Sequence, residues 1–214
     1  MYANPPANDL KTALNHQGNL ITVQNVLGDP RGVEQTILDL IGRWQRLAGE
    51  RSERIDELLN DLGLYYVQSG RGQDALKTFE RLLERAEAHG DHDASNRLRN
   101  QLDLIEVRTR FNMSPPAELL GKLDELSAQV LKLVPPDSPR LRQFLLRSAM
   151  VAVALEQPDR AERLVAAARE QGRDKAPANT IRTETAQASI ARVRGQFDAA
   201  IGQIERRLQD YEKK

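Results

Sequence analysis

The chain of 214 residues contains no cysteine, which excludes disulfides, thiolate chemistry and cysteine-ligated zinc. Aromatic residues make up only 4%, and runs of Val, Ile, Thr, Tyr and Phe are scarce, so a sheet has little to be built from. Net charge is absent as well, because 31 basic side chains balance 31 acidic ones. A neutral chain lacks the basic surface that direct binding of nucleic acid or an anionic membrane requires. The two signs are unevenly spread. Residues 1–139 hold 16 basic and 21 acidic groups and residues 140–214 hold 15 and 10, a gradient that solvated helix faces accommodate. No apolar run approaches the roughly 18 residues of a membrane span. The segment from Met1 to Leu14 lacks the basic-then-apolar order of a secretory signal, so a cytoplasmic location is expected.

Catalytic motifs are missing too. There is no phosphate loop, no dinucleotide fingerprint and no nucleophile elbow. The histidines are His16, His89 and His92. His89-Gly90-Asp91-His92-Asp93 crowds four potential ligands into one turn, where they seldom converge on one ion without distant partners. It reads as a polar loop. Carboxylates sit in charged helix faces such as Glu80-Arg81 and Glu84-Arg85, where pairing one helical turn apart is their natural role. The reading is a chain with no catalytic residue, no metal and no cofactor, and not an enzyme.

What the chain does have is helix-forming composition and helical periodicity. Ala, Leu, Glu, Arg and Gln dominate, and they lose little side-chain freedom on a helix. After residues 1–8, a flexible lead-in blocked by Pro5-Pro6, apolar residues recur at helical spacing to the end. The breaks contain Gly or Pro: Gly28-Asp29-Pro30, Gly49, Gly70, Gly90, Pro115-Pro116, Pro135 to Pro139, Pro158, Gly172 to Pro177 and Gly195. They predict about ten helices, near 9–27, 32–48, 52–69, 73–89, 93–112, 116–133, 138–155, 159–171, 177–194 and 197–212. Ser52, Ser114-Pro115, Ser138-Pro139 and Gln157-Pro158 supply capping chemistry. Trp44 falls among Ile37, Leu40, Ile41 and Leu47, as a core residue would. Arg97, Arg99, Arg108 and Arg110 make one helix basic, but without interleaved aromatics it is a solvated face and not a nucleic-acid platform.

Short turns between helices make hairpins, and the hairpins repeat. From Leu59 to Ala86 the spacing of Leu62-Gly63, Tyr66, Gly70, Ala75 and Phe79 resembles the tetratricopeptide repeat signature. In that arrangement Gly63 is the small residue of the first helix and Ala75 the small residue facing it. Tyr66 fills the gap between hairpins, Gly70 turns the chain and Phe79 plugs the interface to the next unit. Val33, Ala75, a position near 118, Ala161 and Ala200 are equivalent, separated by steps of 42, 43, 43 and 39. The basic period of the family is about 34, so these resemble the extended repeats of bacterial regulators and kinesin light chains. Around 118 a small residue is replaced by Glu118 or Leu119. The resemblance implies an all-α solenoid of about five antiparallel hairpins, forming a single domain over 9–214.

The resemblance also implies a function. Such arrays bind a protein or peptide along a concave wall lined by the first helix of each hairpin. The register places Asn60, Leu64 and Val67 there, then Asp103, Val107 and Arg110, then Gln143, Leu146, Arg147 and Met150, and finally Arg182, Thr185, Ser189 and Arg192. Leu64, Leu146 and Met150 are apolar anchors, and Met suits an adaptable groove. Arg147, Arg182 and Arg192 can hold carboxylates bidentately. A Lys/Asn clamp for chaperone tails, known in one subclass, is incomplete, because Asn60 matches one position but Leu64 replaces the next. The implied role is a scaffold or adaptor, with self-association also open. An alternative is the sensor or effector-binding region of a bacterial transcription regulator or signalling kinase, cut from a longer chain.

Overall fold

Five helices begin on proline: Pro30, Pro116, Pro139, Pro158 and Pro177. A helix's first residue needs no intrahelical N–H partner, and proline's fixed φ already suits it. The computed structural model describes residues 30–88, 94–136, 138–170 and 177–212. Its helices are α1 (Pro30–Ala48), α2 (Glu53–Gln68), α3 (Gly72–Ala88), α4 (Ala94–Arg110), α5 (Pro116–Leu133), α6 (Pro139–Ala154), α7 (Pro158–Glu170), α8 (Pro177–Val193) and α9 (Phe197–Glu212). The lead-in, the helix expected near 9–27 and all three histidines lie outside the described residues. Among those described the fold is all-α, with helices packed in chain order as hairpins.

The caps differ in part from expectation. The Ser138 hydroxyl accepts from the Arg140 amide at 3.3 Å. Ser52 occupies the cap position of α2 without a side-chain cap bond. At α5 the cap is Pro115, not Ser114, and again no side chain caps it.

The second end of each hairpin's first helix is built more uniformly. Residues 70, 112, 156 and 195 all have positive φ, at 73°, 52°, 58° and 73°. Each donates its N–H three residues back, and the next residue donates five residues back. The pairs are Gly70 to Val67 with Arg71 to Tyr66, and Asn112 to Thr109 with Met113 to Arg108. They continue with Glu156 to Val153 and Gln157 to Ala152, then Gly195 to Arg192 and Gln196 to Ala191. This paired bonding satisfies the last carbonyls of the helix and reverses the chain. Asn112 follows Gly70 by 42 residues, Glu156 follows Asn112 by 44 and Gly195 follows Glu156 by 39. The residue after the left-handed one then accepts the first bond of the return helix, from Ala75, Ala161 or Ala200. In the α4–α5 hairpin that bond runs from Leu119 to Pro115. Two extra residues lengthen that turn, which is why its equivalent position is the large Leu119, 1% exposed.

The helices group into two compact units divided after Gly90, α1–α3 and α4–α9. In the first, Leu62, Tyr66, Ala75 and Phe79 are buried, as is Trp44. The nearest neighbour of Gly63 across the hairpin is the Phe79 ring. A Cβ at Gly63 would stand 2.6 Å from Phe79 Cζ, so the Phe79 ring fills the glycine's space within its own hairpin. Tyr66 reaches from α2 to α1, where its hydroxyl donates to Glu34 at 2.8 Å. Arg71 closes the same cluster, 4.4 Å above the Tyr66 ring and 2.6 Å from the other Glu34 oxygen. Burial and the bond to Glu34 push the Tyr66 hydroxyl up to about 12. The bonds from Arg71 and Tyr66 hold the Glu34 carboxyl below its usual range.

In the second unit α6 is the hub. It packs against α4, α5, α7 and α8, and ten of its residues are buried, from Leu141 to Val153. Leu102, Leu123, Leu145, Ala149, Val165 and Ile190 belong to one continuous core.

Three substitutions test this construction. Gly63→Ala should cost about 1–3 kcal/mol through overpacking, and adding Phe79→Leu should cost less than the two single changes together. Urea midpoints of the four chains measure this, and strict additivity would show that the ring does not fill the glycine's space. Glu156→Gly should stabilise by about 1 kcal/mol, because an L-residue pays a steric cost in the left-handed region. An unchanged or lowered midpoint would contradict the turn geometry.

Candidate functional site

The side-by-side packing of α4, α6 and α8 decides which of the expected wall residues remain open. On α6, coverage by four neighbours leaves only a narrow stripe. Met150 stays 38% exposed and Gln143 is exposed, but Leu146 is buried at 2%. The register therefore needs correction at Leu146, which is a core residue and not an outward anchor. On α4, Val107 is likewise buried, at 3%, whereas Arg110 is exposed. On α8, Arg182, Thr185 and Arg192 are exposed, and half-buried Ser189 donates to the Thr185 carbonyl at 2.8 Å. In the α1–α3 unit, Leu64 is exposed at 46%. Asn60 is half-buried and hydrogen-bonds its neighbour Asp61.

Arg147 departs furthest from expectation. Instead of standing free for a partner's carboxylate, it is already claimed inside the chain. Its Nε donates to Glu106 Oε1 at 2.8 Å and its Nη2 to Glu106 Oε2 at 2.6 Å, a bidentate fork. The same Nη2 also bonds Asp103. The group ties α4 to α6 with two carboxylates on one cation. Asp103 is 6% exposed, and its second oxygen has no hydrogen-bond partner among the described residues. Burial pushes the Glu106 carboxyl up, against the pull of Arg147, and repulsion from Asp103 adds to the rise.

Other arginines make similar clasps. Arg71 on Glu34, Arg160 on Asp124 and Arg194 on both Asp159 and Glu162 each reach back to an earlier helix. Glu34 and Glu162 each follow directly after an equivalent buried residue, Val33 and Ala161. Composition hides these pairs because the partners stand 32 to 37 residues apart.

Beside Arg147 a cleft of about 180 Å³ opens at the starts of α4 and α6 and the end of α5. Ser95, Asn96 and Arg99 come from α4, Val130 and Val134 from α5 and its C-cap, and Arg140, Gln143, Phe144 and Arg147 from α6. Sequence reasoning placed Arg99 on a solvated face and gave Arg140 no role. Only folding brings them together, 41 residues apart in the chain.

Among the described residues no group of His, Asp and Glu could hold a metal ion, and no helix is long and apolar enough to cross a membrane.

Two replacements separate the parts of the Arg147 cluster. Arg147→Met leaves the buried Asp103 and the half-buried Glu106 without their shared cation and should destabilise by about 3 kcal/mol. Glu106→Gln keeps the Arg147–Asp103 pair and should cost little at neutral pH. A carboxyl whose pKa is higher folded than unfolded favours the folded state increasingly as pH falls through that raised value. Acidification from neutrality towards the ordinary carboxylate range should therefore add stability through Glu106, and Glu106→Gln should remove that increment. Denaturation midpoints of both chains across this range check it, and identical slopes would contradict the burial of Glu106.

No family model matches the chain, and no curated protein matches it. Solved structures do. The crystal structure of BtubC (BKLC) from P. vanneervenii is similar over 93% of this chain and 80% of that one, with a TM-score of 0.70 and 17% identity. A putative kinesin light chain from Podosopora anserina, described as having nearly identical TPR-like repeats, is similar over 94% of this chain and 97% of its own, with a TM-score of 0.63 and 17% identity. Its Q17M form is similar over 91% and 92%, at the same TM-score and identity. At that identity the likeness is one of fold, and the fold of this chain is that of a TPR-like repeat protein.

Proposed function

We propose that the chain is a non-catalytic scaffold that binds a protein or peptide along the open faces of α6 and α8. The observation that supports it is the exposed row Met150, Arg182, Thr185 and Arg192, an apolar side chain among cations on adjacent first helices of two hairpins. Exposed Met adapts its shape to a partner, and Arg forks a carboxylate or backbone carbonyl. The TPR-like fold supports the reading, since stacked hairpins of this kind offer extended binding surfaces. Arg147 holds α4 against α6 and so keeps this surface in place without touching the partner itself.

A photo-crosslinking residue placed at 150 or 192 should trap a discrete partner from the native host's extract. The same residue at Arg163, exposed on α7, should trap none. The double change Met150→Ala, Arg192→Ala should lower capture by about tenfold while leaving the helical signal and its melting unchanged. Equal trapping from position 163, or undiminished capture by the double variant, would rule out this face.

A further inference from the structure

We infer that α9 pairs with α9 of a second copy of this chain, apolar stripe against apolar stripe about a two-fold axis. The inference is independent of the binding-scaffold reading, because the row on α6 and α8 includes no residue of α9.

An amphipathic helix normally turns its apolar side to the core. The first half of α9 is the other way round. Phe197, Ile201 and Ile204 are 61%, 53% and 52% exposed. They stand four and three residues apart, which puts them on one stripe of the helix. The side turned inward carries small or polar residues instead. Ala200 is buried, and half-buried Gln203 has its Oε1 enclosed without a hydrogen-bond partner among the described residues.

The other hairpins show what becomes of this face. Phe79, Val165 and Ile204 follow the equivalent Ala75, Ala161 and Ala200 by four residues, and Leu123 follows Leu119 by four. Phe79, Leu123 and Val165 are buried, and Ile204 is not. In the second unit α5 packs against α6, and α7 against α8, each the first helix of the next hairpin. Leu123 and Val165 belong to the core that α6 and α8 complete. Among the described residues α9 packs against α8, and the side where a next first helix would lie stays open.

A helix that fills this place needs an uncovered apolar stripe of its own. Leu38, Leu64 and Met150 are exposed singly on α1, α2 and α6. Leu131 and Leu133 on α5 are exposed two residues apart, which is not one face of a helix. Among the described residues α9 alone offers three large apolar side chains on one line, so the surface of this chain that matches α9 is α9 of another copy. Spacings of four and three are those of a coiled-coil seam, and a two-fold contact covers both stripes at once. The formal net charge is zero, so repulsion between copies does not oppose the contact. Two crossing helices bury less than the roughly 1,200 Å² of a standard interface, so the dimer is weak and depends on concentration.

Sedimentation equilibrium of the full chain from about 1 to about 300 µM tests this, and the mean mass should rise towards twice that of the monomer. Ile201→Glu/Ile204→Glu should weaken pairing at least about tenfold while keeping the native circular dichroism. Leu131→Glu, and the double change Met150→Ala, Arg192→Ala, should dimerise as the native chain does. A second readout leaves the stripe nearly intact. The chain has no cysteine, so Ile201→Cys and Ile204→Cys, made singly, each place one thiol on it. At least one of them should oxidise to a linked dimer and Leu131→Cys should not, since a bridge needs Cα atoms within about 7 Å. A native chain that stays monomeric, a glutamate double variant that pairs undiminished, or cysteines that link no better than Leu131→Cys would overturn the inference and leave the scaffold reading standing. A mass rising past that of the dimer would mean head-to-tail stacking and would overturn the two-fold contact.

Discussion

A single backbone event repeated along the chain governs the rest: one residue in the left-handed region at the end of each hairpin's first helix. It satisfies two carbonyls, sends the chain back, and hands its successor's carbonyl to the return helix as that helix's first acceptor. Where the return begins sets where Ala75, Ala161 and Ala200 fall, and so which residues close each hairpin. The α4–α5 turn, two residues longer, moves that point to Leu119. Regular helix packing follows from a regular reversal more than from a uniform core.

The clasps built on arginine depend on this regularity. Each links a turn or a helix to an earlier helix of its own unit, and each needs the intervening chain to fold back correctly. The Arg147 cluster is the most deeply placed. It carries one cation for two carboxylates, an arrangement that gives geometric definition to the α4–α6 contact at some electrostatic cost. That cost falls on Glu106 and Asp103, and it explains why the cation of most obvious binding promise in the sequence is unavailable to a partner.

Much of the fold was legible. Gly and Pro marked the helix ends to within a few residues, because both act locally. Leu62, Tyr66, Ala75 and Phe79 were readable as buried because their spacing is helical. Glu156 was not readable as a turn residue, since its left-handed conformation is imposed by the hairpin, whereas Asn112 is of a type that enters that region readily. The site was less legible. A helical register gives direction, but not how many neighbours cover that direction. Leu146 points where Met150 points, one turn earlier, and is covered. Likewise, Gly63 announced a close approach without saying that an aromatic ring, not another helix backbone, makes it.

The separation of the clasped partners has a consequence for deletions. Arg71 with Glu34, and Arg194 with Glu162, stand 37 and 32 residues apart, close to the length of one hairpin. Each pair therefore spans most of one repeat. Removing a repeat from the chain would part a cation from its acid, and the joint would have to be rebuilt from other residues.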